Sequence, residues 1–158
     1  MNIGIILPDL SIGQLAFEAI NQVNMEIWNG SKYDYTIFFE NISPQCVQPM
    51  CGVMNISEIW GFNGLLVSTT LDNTIYSLQL RANVQRAFYL WDLEWLRDKK
   101  NYLQNLSILR HPKLALVTKN KETAQELERY SNREANFISP RLNLADLADK
   151  IYEKHITN

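Results

Sequence analysis

Ile3-Gly4-Ile5-Ile6-Leu7, closed by Pro8, is the stretch that decides the fold. A strand with one solvated face alternates apolar and polar residues, whereas an unbroken apolar run suits a strand buried on both faces of a parallel sheet. Asp9-Leu10-Ser11-Ile12-Gly13 then turns the chain. Ser11 is a good helix N-cap, and Gln14 three residues on completes a capping box. Ile12, Leu15, Ala16, Ala19, Ile20, Val23 and Ile27 follow at helical spacing, and Asn29-Gly30 supplies the stop signal. Strand, turn and amphipathic helix form the first unit of an α/β chain.

The pattern repeats outward from there. Tyr35–Phe39 reads as a second strand, rich in β-formers. Residues 41–54 hold two prolines and two cysteines without a clear period, and read as loop with a short extended piece near Cys51–Met54. A short helix from Asn55 or Ser57 ends at Gly61. Strands follow at Gly64–Ser68, Arg86–Trp91, Leu114–Val117 and Asn136–Ser139. Helices are expected from Ser68-Thr69-Thr70 to Leu80, from about Leu93 to Leu109, from Thr118 to Tyr130, and from Leu142 to Ile151 or beyond. This alternation predicts one Rossmann-like domain over residues 1–158: three layers, α/β/α, around a mainly parallel sheet of about six strands.

The totals narrow the function classes. A chain of 158 residues buries a core without staples. A net charge of -2 gives no pull toward nucleic acid. No apolar run approaches the ~20 residues that span a bilayer. The start lacks the basic flank of a secretion signal, so Cys46 and Cys51 are expected as reduced thiols of a cytoplasmic protein. Two cysteines with His111 and His155 are too few and too scattered for a Cys/His zinc site, and no other metal or cofactor is expected. A response-regulator receiver needs an acidic pair after the first strand, and only Asp9 stands there.

Ligands of open parallel sheets bind outside the carboxyl ends of the strands. That rule selects Pro8–Gly13, Ser68–Thr70, Trp91–Glu94 and Thr118-Lys119. Ser11, Gly13 and Gln14 stand at a helix start, where free amides favour a phosphate or a sugar hydroxyl. The competing reading is an ordinary capped turn, and it is the stronger one because Gly-x-Gly-x-x-Gly is absent. Asp92 suits a general base on an acceptor hydroxyl, with Glu94 beside it. The competing reading has Asp92 capping the next helix and Glu94 in its first turn. Trp91 and Trp95 suit a stacking platform for a sugar or base, or a core or partner contact. Thr69 and Thr118 complete the ligand-facing set. The cysteines have no neighbour that would lower their pKa, and His111 is expected at the surface.

Ile6-Leu7-Pro8-Asp9-Leu10-Ser11-Ile12-Gly13-Gln14 resembles the opening of the N-terminal domain of GT-B-fold glycosyltransferases: a strand, a glycine-bearing loop, then a helix. Phe88-Tyr89-Leu90-Trp91-Asp92-Leu93-Glu94 is similar to a second segment of some of those enzymes, where an aromatic strand runs into an acidic turn. The later element order fits as well. Two positions depart from the pattern: Gln14 replaces the second glycine, and Trp91 replaces the glutamine before the acid. In that family a C-terminal domain largely holds the nucleotide-sugar donor, and this chain stops where that domain would begin. The resemblance therefore implies either half of a split glycosyltransferase, with the donor domain supplied in trans, or a remnant that binds a sugar or nucleotide-sugar without catalysis. The alternative is a non-enzymatic interaction module, a homodimer or a partner-binding protein, with Trp60, Trp91 or Trp95 between chains.

Overall fold

A computed structural model describes residues 1–81 and 83–156; the side chains of Glu94 and of residues 154–156 lie outside that description. The strands are β1 (Asn2–Leu7), β2 (Asp34–Phe39), β3 (Gly52–Asn55), β4 (Leu65–Ser68), β5 (Gln85–Leu90), β6 (Leu114–Thr118) and β7 (Phe137–Ile138). The α-helices are α1 (Gln14–Trp28), α2 (Leu71–Gln79), α3 (Tyr102–Leu109), α4 (Lys121–Ser131) and α5 (Leu144–Ile156), joined by 3₁₀ turns at Ile56–Gly61 and Glu94–Arg97. One seven-stranded sheet runs in the order β3-β2-β1-β4-β5-β6-β7, and each neighbouring pair is parallel. The first six strands in sequence repeat the Rossmann order, whose switch point lies between β1 and β4.

Burial on both faces explains the apolar runs. Ile3, Ile5 and Leu7 of β1, Val67 of β4 and Tyr89 of β5 pack on one face with α1 and α5. Ile6, Phe38 and Leu66 face the first 3₁₀ turn, while Phe88, Leu90 and Leu116 face α2, α3 and α4. Gly4 makes room on the second face, since a Cβ there would lie 2.9 Å from Phe62 and 2.8 Å from Leu66. At Gly64 φ is +136° and a Cβ would meet the Asn2 carbonyl oxygen at 2.2 Å, so only glycine fits this entry to β4.

The structure departs from the sequence reading in three places. The short extended piece before Asn55 is a full sheet member, β3, which raises the strand count to seven. Its four residues Gly-Val-Met-Asn carry no alternation strong enough to announce a strand. The expected capping box does not form: α1 starts at Gln14 with Gly13 as N-cap and no side-chain cap. Asp9 outcompetes the helix for Ser11, because its Oδ1 accepts both the Ser11 N–H (2.9 Å) and the Ser11 hydroxyl (2.5 Å). The expected helix over 93–109 is also broken. Asp98 accepts the backbone N–H groups of Lys100 and Asn101 and the Asn101 amide, so the 3₁₀ turn ends and α3 begins only at Tyr102. Arg97–Lys100 is thus a turn and not a helical face.

Candidate functional site

The carboxyl edge sorts its polar residues into two kinds. Thr69 and Thr118 are buried, and their groups are used internally. Thr69 donates its hydroxyl to the Ile6 carbonyl at 2.7 Å and its N–H to Asn73 Oδ1, which ties β4 to β1 at the switch point. Asn73 and Thr70 form the capping box of α2. The Thr118 hydroxyl turns back to the Asn120 carbonyl at 3.3 Å. Both threonines therefore shape the edge and do not face a ligand. Ser11 is held by Asp9, while Gly13 is exposed with open space where a Cβ would stand.

The second kind meets between β5, β6 and α1. Trp91, half-buried at the end of β5, packs 6.5 Å from Tyr89 at an interplanar angle of 39°. Lys119, just past β6, places its Nζ 3.3 Å from the centre of the Trp91 ring, a close cation–π contact. Burial lowers the Lys119 pKa below the ordinary lysine value, and the carboxylates of Glu18 and Asp92 work against that shift. Glu18 stands one helical turn after Gln14 and accepts the Gln14 amide at 3.0 Å. Beneath them, burial pushes the Tyr89 phenol up to about 12 while its hydroxyl donates to the Ser139 carbonyl at 2.9 Å. The result is an aromatic face, one cation, two carboxylates and an amide on one exposed rim.

Of the sequence candidates, Gln14, Trp91 and Asp92 come together here, and Glu94 follows in the 3₁₀ turn with its side chain outside the described residues. The N-cap position of that turn is Leu93, whose side chain makes no capping bond. Trp95 leaves the group. Its ring packs edge-on against Tyr130 at 4.7 Å on the α3/α4 face and its indole N–H donates to the Asp92 carbonyl, so Trp91 and Trp95 do not form a shared platform. Lys119 belongs to the Thr118-Lys119 pair that the carboxyl-edge rule selects, whereas Glu18 is a site residue the sequence reading missed; its signal is the i,i+4 spacing from Gln14.

Cys46 and Cys51 are free thiols, and burial pushes Cys51 up to about 11, far from a reactive thiolate. His111 accepts the Lys113 N–H, and its pKa is lowered by burial and by Arg86, Lys113 and Arg133. No group of three or more His, Cys, Asp or Glu among the described residues is arranged to hold a metal. No helix among them is long and apolar enough to cross a membrane. A groove of about 420 Å³ lies at the amino end of β2, but the charged groups of its wall are paired: Asp149 takes Lys32 at 2.7 Å and Tyr33 at 2.5 Å, and Glu26 accepts Gln22, Tyr35 and two backbone N–H groups. No protein-family model, curated protein or solved structure matches the chain.

Proposed function

We propose that this chain is a glycosyltransferase-like, sugar-binding Rossmann-like half that takes a sugar or nucleotide-sugar at the rim formed by Trp91, Lys119, Glu18, Asp92 and Gln14. The observation that carries the reading is the Trp91 ring at the carboxyl edge, flanked by Asp92 and Glu18. A flat aromatic face packs against the C–H face of a pyranose and carboxylates beside it accept the hydroxyls around the ring, so in this reading the sugar displaces the Lys119 ammonium from over the Trp91 ring. Asp92 is exposed, and in this reading it serves as the general base that takes a proton from an acceptor hydroxyl. In this reading, transfer needs a donor-binding domain from a partner chain, and this chain alone binds without turning over.

The test is a thermal-shift and saturation-transfer NMR screen of neutral sugars, amino sugars and nucleotide-sugars. A true ligand at 100 times its Kd stabilises the fold by about 2.7 kcal/mol. Trp91→Ala should weaken binding at least about tenfold, a loss of some 1.4 kcal/mol, and Asp92→Asn should weaken it less. The proposal fails if none of these compounds shifts the melting point or shows transfer, or if a hit binds Trp91→Ala as well as the native chain.

A further inference from the structure

We infer that the β3 edge of the sheet is a docking surface for a second copy of this chain, which pairs there antiparallel to form a two-fold dimer. β3 is the outermost strand beyond β2, and among the described residues its outer side pairs with no strand. An open strand edge presents a row of backbone donors and acceptors whose natural complement is another extended strand. Soluble monomers blunt such edges by keeping them very short or with lysine, proline within the strand, or inward charges. Gly52-Val53-Met54-Asn55 is short, but it carries no lysine, proline or charge.

The surroundings are equally undefended. From Asn41 to Gly64 the one charged residue is Glu58, in a protein that is 20% charged overall. Exposed apolar side chains border the edge on both faces. Met54 stands in register with Phe38, which faces the first 3₁₀ turn, and Trp60 of that turn is exposed beside it. On the other face Met50 is exposed, and its backbone N–H is pinned to Asn24 of α1 at 2.8 Å. Depletion of charge with enrichment of Met and Trp is the composition of an interface core.

Self-pairing follows from symmetry and charge. Antiparallel pairing within a continuous sheet keeps each face on its own side, so the two-fold axis passes between a residue, Val53 or Met54, and its own copy. Either register brings the two Met54 side chains within reach of each other on one face. A charge near such an axis would meet its own copy, and the strand carries none. The whole chain, at -2, repels its copy weakly. A four-residue strand with three flanking side chains makes a small interface, below about 1,200 Å² in total, so the dimer is a weak one. β3 lies at the opposite end of the sheet from β5 and β6, so dimerisation leaves the Trp91 rim open, and the proposal stands or falls independently of sugar binding.

Sedimentation equilibrium between about 5 and 500 µM, the range expected of a small interface, reads the result. The apparent mass should rise with concentration from the 18.4 kDa monomer toward twice that value. Met54→Lys and Met54→Glu, each at an exposed position and checked for an unchanged melting temperature, should each remain monomeric. An equimolar mixture of the two should associate at least as well as the native chain, because the charges are then opposite. A native chain that stays monomeric throughout overturns the proposal, whatever foreign strand the edge then accepts. So does a Met54→Lys variant that dimerises like the native chain, or a mixture that fails to associate.

Discussion

The two ends of the sheet use charge in opposite ways. At the amino end three arginines and a buried glutamate are tied to backbone groups. Arg86, buried at the start of β5, donates to the carbonyls of Ser77, Leu80, Arg81 and Val84, where α2 ends. Arg133 donates to Leu109, His111 and Leu114 after α3, and Arg110 to Ser131 at the end of α4. Glu26, buried near the start of β2, accepts the Tyr35 hydroxyl at 2.6 Å, the Gln22 amide at 2.8 Å, and the Leu144 and Ala145 N–H groups that open α5. Arginine on the last carbonyls and a carboxylate on the first amides satisfy orphan helix-terminal groups and complement the helix dipole. At the carboxyl end Lys119 instead rests on an aromatic ring, within electrostatic reach of Glu18 and Asp92, both exposed. The lesson is a division of labour: the amino end holds the fold, and the carboxyl end is left accessible.

The sharpest way to break that comparison is Arg86→Met. Leaving buried carbonyls unmatched costs about 1–3 kcal/mol each, and the effects do not add fully, so a loss of about 3–4 kcal/mol is expected. Urea denaturation would show it, and a loss under about 1 kcal/mol would mean that the arginine is not holding this end. Glu26→Ala comes next, at about 2–3 kcal/mol, since it removes a cap and the charged acceptor of the Tyr35 hydroxyl, which keeps only Ser31. Hydrogen exchange should show the loss concentrated at the start of α5; uniform loss along the chain would argue against a capping role.

The smallest effect belongs to Lys119. Its folded pKa lies below the ordinary lysine value because burial disfavours the cation. The folded state therefore binds fewer protons than the unfolded one between those two values. Its burial penalty is fully present below the folded pKa and is relieved as pH rises from there toward the unfolded value. A ¹³Cε NMR titration should place Lys119 below the other lysines, and Glu18→Gln or Asp92→Asn should lower it further. A Lys119 that titrates with the bulk lysines, or that ignores both carboxylates, would erase the electrostatic contrast between the two ends.

Periodicity made the α/β alternation legible. Ile3–Leu7 and Leu65–Val67 are buried on both faces, and Leu114, Leu116 and Val117 of β6 are buried too, as unbroken apolar runs require. The α5 stripe of Leu144, Leu147, Ala148 and Ile151 is buried as its spacing predicts. What stayed hidden depends on distant partners. Nothing local says that Arg86 is buried, because the carbonyls that take it belong to the end of the preceding helix. Ser11 looked like a cap because spacing cannot show that Asp9 reaches it first. The rim was only half visible: Trp91 and Asp92 stand together in sequence, whereas Glu18 and Lys119 come from α1 and the end of β6 and meet only once the sheet is wound.

Glu26 carries a consequence for the order of assembly. The carboxylate that receives the last helix sits on the first, 118 residues upstream of Leu144. Until residues 144–145 arrive, that group faces a site meant to exclude water and lacks two of its donors. The contact closes a loop of nearly the whole chain, an entropic cost that grows only logarithmically with length but falls due late. During synthesis on a ribosome, α1 and β2 would therefore reach their final stability only after α5 emerges, and a nascent chain halted before Leu144 should remain open to protease around Glu26.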